Sequence, residues 1–243
     1  RQGDDIKASV RVGFEEAVFG ATKEIEFNRV SRCSRCDGRR SEPGHEPETC
    51  TSCNGTGRVR RSQKSIFGQF IQESGCSSCG GAGQIVKTPC TKCNKRGVER
   101  STKQLQVDVP PGVEDGIRLK VTGQGNAGEL GGPPGDLYVF LEVGTHEVFR
   151  REGTDIIYGM DLSFPQAALG EELEIPTLDG SVSLKIPPGT QTNSVFKLKG
   201  HGVPHLGRPA RRGDQLVVVN IVTPTKLTKA QKELLEELRN TAV

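Results

Sequence analysis

Apolar residues along this chain come in short alternating runs, such as KQLQVDV at 103–109, DLYVFLEV at 136–143 and DQLVVVNIV at 214–222. A period of two places every second side chain on one face, so these runs predict β-strands half-buried against small cores. One stretch breaks the pattern. TKLTKAQKELLEELRNTAV, residues 225–243, has helical spacing, with Thr228 placed as an N-cap and Leu234, Leu235 and Leu238 on one side. No apolar run approaches the roughly 18 residues that span a bilayer, and the opening RQGDDIK is not a secretory signal.

Comparison of the chain with itself shows a repeat. VPPGVEDGIRLKVTGQG from Val109 aligns without gaps to IPPGTQTNSVFKLKGHG from Ile186, and GDLYVF at Gly135 matches GDQLVV at Gly213. VGFEEAVFGATKEI, residues 12–25, resembles LSFPQAALGEELEI, residues 162–175, through Phe14 and Phe164 and through Gly20 and Gly170. Ile25 and Pro110 are 85 positions apart, whereas the matching Ile175 and Pro187 are only 12 apart, so the first copy holds 73 extra residues. Every cysteine lies among them. The expected fold is therefore mainly β: two tandem, related β-sandwich-like domains, a small cysteine-rich domain inserted in the first, and a short C-terminal helix. The boundaries read as 1–31 with 98–148, the insert 32–97, a second β domain 149–225, and a tail 226–243.

Composition agrees with small modules. The 243 residues are 33% hydrophobic, with no Trp and one Met, and the net charge is only +3. Residues 31–100 carry 13 Lys and Arg against 6 Asp and Glu. Two four-thiolate zinc sites, each at −2, would lower that surplus of +7 to about +3, which reads as a solvated basic face rather than a nucleic-acid footprint.

The eight cysteines form four C-x-x-C pairs, CSRC at 33–36, CTSC at 50–53, CSSC at 76–79 and CTKC at 90–93. The insert has few large apolar residues, chiefly Ile66, Phe67, Phe70, Ile71, Ile85 and Val86, so disulfides or metal must hold it. Without an export signal, thiolate-bound zinc is the expectation, two ions per chain. Glycines behind each pair, such as Gly55 and Gly57, free the backbone to aim amides at sulfur. Spacing leaves the pairing open between a nested and a sequential arrangement. His45, His146, His201 and His205 have no ligand-like spacing to the pairs and read as surface or loop residues.

Four C-x-x-C-x-G-x-G motifs inserted in the first of two related β domains resemble the zinc-binding (type I) DnaJ co-chaperones, over nearly the whole chain. The resemblance implies that Cys33, Cys36, Cys90 and Cys93 share one zinc, and Cys50, Cys53, Cys76 and Cys79 the other. Two positions depart from the motif: Arg40 replaces the last glycine of the first repeat, and Lys95 the first glycine of the fourth. No His-Pro-Asp of a J domain occurs in these residues, so the chain reads as a substrate-binding fragment of a longer protein, or else as a member lacking a J domain. The resemblance implies no enzyme activity, binding of unfolded, extended apolar polypeptide by strand addition on the first β domain, delivery to a DnaK-type ATPase, assistance from the zinc domain in that transfer, and a homodimer formed through the terminal region.

Candidate peptide contacts are Ile6, Ile25, Phe27 and Phe149, expected on a solvent-facing apolar edge. A cytoplasmic location, or a plastid stroma or mitochondrial matrix, follows, with no membrane partner. The alternatives are a thiol-disulfide oxidoreductase and a zinc-dependent nucleic-acid binder. The first lacks a thioredoxin-like βαβ setting, and the second a recognition helix or stacking surface.

Overall fold

The computed structural model describes residues 2–65, 68–128 and 131–241, with side chains described outside 61–71. Of the apolar residues expected in the insert, Ile66 and Phe67 lie outside the described residues, as do the side chains of Phe70 and Ile71. The chain is mainly strand, as the alternating runs predict. Among the described residues the helices are Phe14–Phe19, Phe164–Leu169 and the terminal Lys229–Thr241, and none of them is long and apolar enough to cross a membrane.

Two compact units emerge. The first comprises Arg1–Val10, Lys23–Val107 and Gly116–Leu141; the second comprises Arg11–Thr22, Asp108–Asp115 and Glu142–Val243. In the first unit Ile25, Phe27, Val107, Leu137, Val139 and Leu141 are buried, each at an alternate position of its strand. In the second unit one core gathers Met160, Leu162, Ala167, Ile175, Ile186, Val217 and Val219. Another gathers Phe14, Val18, Phe149, Ile156 and Val203.

The internal repeat holds at the level of single hydrogen bonds. Lys120 pairs with Asp136 at 2.7 Å, as Lys197 pairs with Asp214 at 2.6 Å. The Ile6 N–H donates to Asp136 O at 2.9 Å, as Ile156 N–H donates to Asp214 O at 3.0 Å. The Asp136 N–H donates to Asp5 Oδ1, as Asp214 N–H donates to Asp155 Oδ1. Gly112 N–H caps the short helix through Ala17 O, as Gly189 N–H does through Ala167 O. These matches make Ile6–Val12 the counterpart of Asp155–Ser163, and Leu137–Val143 the counterpart of Gln215–Val222.

The copies differ at one sheet edge. Asp155–Ser163 runs parallel to Gln215–Val222 on one side. Its other side is closed by the short antiparallel strand Phe149–Glu152, from Phe149 opposite Tyr158 to Glu152 opposite Asp155. Ile6–Val12 is itself an outer strand, in the order Ile6–Val12, Leu137–Val143, Arg118–Val121. Among the described residues, nothing pairs with its free side.

The inserted lobe belongs to the first unit. It contains the hairpin Arg58–Ser65 with Gly68–Gly75 and the two-residue ladder Glu48–Thr49 with Gln84–Ile85.

Candidate metal centres and peptide edge

The eight sulfurs fall into two tetrads, Cys33, Cys36, Cys90, Cys93 and Cys50, Cys53, Cys76, Cys79, each with all sulfurs within 4.8 Å of one another. This is the nested arrangement. Across the first tetrad, Cys33 and Cys90 sulfurs are 4.0 Å apart and Cys36 and Cys93 3.7 Å. Across the second, the matching separations are 3.9 and 3.8 Å. A cation at the centre of a sulfur tetrahedron with bonds of about 2.3 Å requires edges of about 3.8 Å. The thiols therefore fit a four-sulfur metal ion, and none is joined in a disulfide.

Each knuckle is built by the same backbone device. The residue after the second cysteine is left-handed in all four repeats, at Asp37, Asn54, Gly80 and Asn94. So is the next, at Gly38, Gly55, Gly81 and Lys95. The chain then turns its amide onto sulfur. Gly57 N–H donates to Cys53 Sγ, Gly83 N–H to Cys79 Sγ and Gly97 N–H to Cys93 Sγ, each at 3.2 Å. In the first repeat the amide of Arg40 takes this role for Cys36. Arg40 and Lys95, the two departures from the glycine pattern, keep the left-handed conformation at φ 66° and 65°. The backbone of the first tetrad thus follows the same course, with side chains standing where only glycine is unstrained.

Within each tetrad the knuckles are cross-tied. Cys50 N–H donates to Gly83 O and Cys76 N–H to Gly57 O; Cys33 N–H donates to Gly97 O and Cys90 N–H to Arg40 O. Two carboxylates also clasp the first tetrad. Glu99 accepts from Ser34 N–H and pairs with Lys92, both at 2.8 Å. Glu42 accepts from Thr91 N–H and pairs with Arg35. The Lys92 ammonium and the Ser34 amide hold the Glu99 carboxyl down to about 2.

Four thiols this close cannot all ionise without a cation among them. Burial pushes Cys50 up to about 11 and Cys93 up to about 12. The backbone amide of Cys79 draws Cys76 down to about 7 despite its burial. A bound dication would ionise the whole set, so both tetrads are built to release protons on metal binding.

The peptide candidates are placed differently from the expectation of solvent-facing side chains. Ile6 is half-buried on the open outer strand. Ile25 and Phe27 are 5% and 6% exposed, because the alternation that puts them on one face turns that face inward. Phe149 is 8% exposed and belongs to the strand that closes the second copy's sheet. It nevertheless lines a cavity of about 610 Å³ with Phe14, His146, Val148 and Arg151. His146 is not a simple surface residue. Its ring lies 5.2 Å from that of Phe14 and 4.8 Å from that of Phe149, and its Nδ1 accepts from the Val148 and Phe149 amides.

The free side of Ile6–Val12 is the site feature that residue-by-residue inspection misses. The sequence shows this strand as the alternating run IKASVRV at 6–12, but alternation does not tell which of its sides is paired.

Two β modules related by a repeat, with a lobe of two four-thiol centres spliced between strands of the first, define a tandem β protein whose insert carries two tetrads that could hold metal. The DnaJ C terminal domain family matches residues 6–224, and the chain belongs to that family. It is 48% identical over 237 residues to a protein named Chaperone protein DnaJ from Ruminiclostridium cellulolyticum, covering 98% of this chain and 62% of the relative. Proteins of the same name from Acetivibrio thermocellus and Prochlorococcus marinus subsp. pastoris are 45% and 44% identical, again over 98% of this chain and 61% and 64% of their own lengths. The chain thus spans under two thirds of these relatives.

Proposed function

We propose that this chain is the client-binding part of a DnaJ-type co-chaperone, a non-enzymatic module that holds extended apolar segments of unfolded polypeptide for a DnaK-type ATPase. The observation that carries the reading is the outer position of Ile6–Val12 in its sheet. Among the described residues, its second side offers unpaired amides and carbonyls. Ordinary β proteins blunt such an edge; here it is a template for strand addition. Ile6, half-buried on this strand, supplies apolar ground for alternate client side chains, while Ile25 and Phe27 are buried in the same unit. Phe149 contributes to a separate pocket that takes a further apolar side chain.

In this reading the two tetrads hold zinc and keep the lobe folded for client transfer. The functional domains are 1–31 with 98–148, 32–97, 149–225 and the tail. Zinc thiolates of this kind suit a cytoplasm, stroma or matrix where thiols stay reduced. The terminal helix is capped by a reciprocal Thr228 and Gln231 pair but buries no residue. Leu234, Leu235 and Leu238 line an apolar groove of about 930 Å³ with Phe164, Val222 and Leu227, and a second copy of the chain covers it.

A proline at Lys7 tests the edge. Ile6 donates its amide inward to Asp136 O, so by alternation the Lys7 amide faces the free side. Lys7→Pro removes that donor and leaves the ladder intact. Anisotropy of a labelled apolar peptide should show weakened binding, with metal content and thermal unfolding unchanged. Undiminished binding would place the client elsewhere.

A further inference from the structure

The first tetrad is bordered by a feature that strand addition does not use. A cavity of about 300 Å³ is lined by Arg32, Arg39, Arg40 and Arg96, and Asp37 is the one acidic residue on its wall among the described residues. The chain neutralises many other cations of the lobe. Arg35 pairs with Glu42, Lys92 with Glu99, Lys87 with Glu48, and Arg58 and Arg60 with Glu73. Among the described residues, the four cavity arginines have no side-chain hydrogen bond or ion pair.

Two of these arginines are seated by glycines. The Arg32 stem passes 3.8 Å from where a Cβ on Gly38 would stand, and the Arg40 stem 2.8 Å from where one on Gly97 would stand. Arg40 is also the residue that takes the left-handed position filled by glycine in the other three repeats. A strained, non-glycine residue whose guanidinium is free and grouped with three others is the arrangement expected where function, not folding, selects the side chain.

We propose that this cavity binds carboxylates of an acidic peptide segment on a partner protein. Planar guanidinium groups match carboxylates bidentately, and the cavity volume accommodates a side chain or two rather than a folded surface. Ala82 and Val98 give the wall apolar ground for the stem of a Glu. Among the described residues no aromatic side chain lines it, so a nucleic-acid base finds no ring there to stack on.

The test uses the zinc-loaded chain and a labelled ten-residue peptide of alternating Glu and Gly, read by anisotropy. Arg39→Glu with Arg96→Glu should weaken binding by about a hundredfold, at about tenfold for each charge-assisted hydrogen-bonded pair removed. Arg60→Glu, on the hairpin, should leave it unchanged. Metal content of the double variant should stay at two ions per chain. Three results would each overturn the proposal. One is binding of the peptide by the double variant as tightly as by wild type. Another is joint loss of zinc and peptide, which would make the arginines counter-ions of the thiolates. The third is displacement of the peptide by a single-stranded oligonucleotide of equal charge that binds tighter. Lys7→Pro should not affect this binding, which separates the failure of this site from that of the client edge.

Discussion

Gly57→Ala isolates how the second tetrad is held. Gly57 has φ +70°, and a Cβ there would stand 2.3 Å from the carbonyl oxygen of Gly81 in the facing knuckle. Ordinary van der Waals separation begins near 3.4 Å, so the knuckles must part by about 1 Å. Alanine in the left-handed region costs about 1–2 kcal/mol relative to glycine. Parting the knuckles also disturbs the Gly57 N–H bond to Cys53 Sγ, and a hydrogen bond to a charged group contributes about 1.5–3 kcal/mol. The sum, about 3–5 kcal/mol, falls short of the roughly 10–16 kcal/mol typical of a structural zinc.

The variant should therefore still load two ions but hold one of them more weakly, on the order of a thousandfold at about 1.4 kcal/mol per decade. Competition with a graded series of chelators, followed by a metal indicator, should show one ion leaving early and one as in wild type. Gly44→Ala is the control, because φ is +87° there but no atom lies within 4 Å of the added Cβ. If Gly57→Ala held both ions as tightly as Gly44→Ala does, the close approach of the two knuckles would not be what secures the metal.

The repeat offers a paired test in Gly112→Ala and Gly189→Ala: both positions have positive φ, but only the first Cβ meets an atom, Pro204 O at 2.1 Å. Denaturant midpoints should fall clearly further for Gly112→Ala. Asp214, held below the usual carboxylate range by Lys197 and the Gly200 amide, stabilises the fold above the unfolded-state pKa near 4, and that contribution fades as pH falls through the depressed folded value. Asp214→Asn should be less stable than wild type at pH 7, with the difference shrinking below pH ~4 in urea titrations. Leu234→Glu with Leu238→Glu should leave thermal unfolding nearly unchanged, since the helix buries no residue, while lowering the mass seen by light scattering. Phe27→Asp, in contrast, places a charge at a buried position and should destabilise by several kcal/mol, so reduced peptide binding by that variant would reflect unfolding.

What could be read from residues alone follows from the range over which each signal acts. The knuckles were legible because a C-x-x-C turn and its glycines are local, and the positive φ at Asn54, Gly55 and Gly57 is dictated within eight positions. The repeat was legible because Asp136 and Asp214, or Gly112 and Gly189, do the same work in each copy. The nested sulfur grouping was open to spacing, since it depends on which knuckles cross-tie over 26 and 57 positions. The orientation of Ile25 and Phe27 was also beyond reach, because alternation fixes that two residues share a face but not whether that face is solvent or core.

The repeat also bears on the edge. Asp155–Ser163 is flanked on both sides, and in the proposed reading another chain completes the ladder on the side of Ile6–Val12 that is unpaired among the described residues. In that reading, recognition would reside less in any single apolar side chain than in unpaired backbone, and such a site could accept many client sequences. The amides of Lys7 and Ser9, which by alternation face the free side, would read only an extended backbone. A binding screen in which N-methylated peptides lose affinity regardless of their side chains would separate backbone recognition from simple hydrophobic capture.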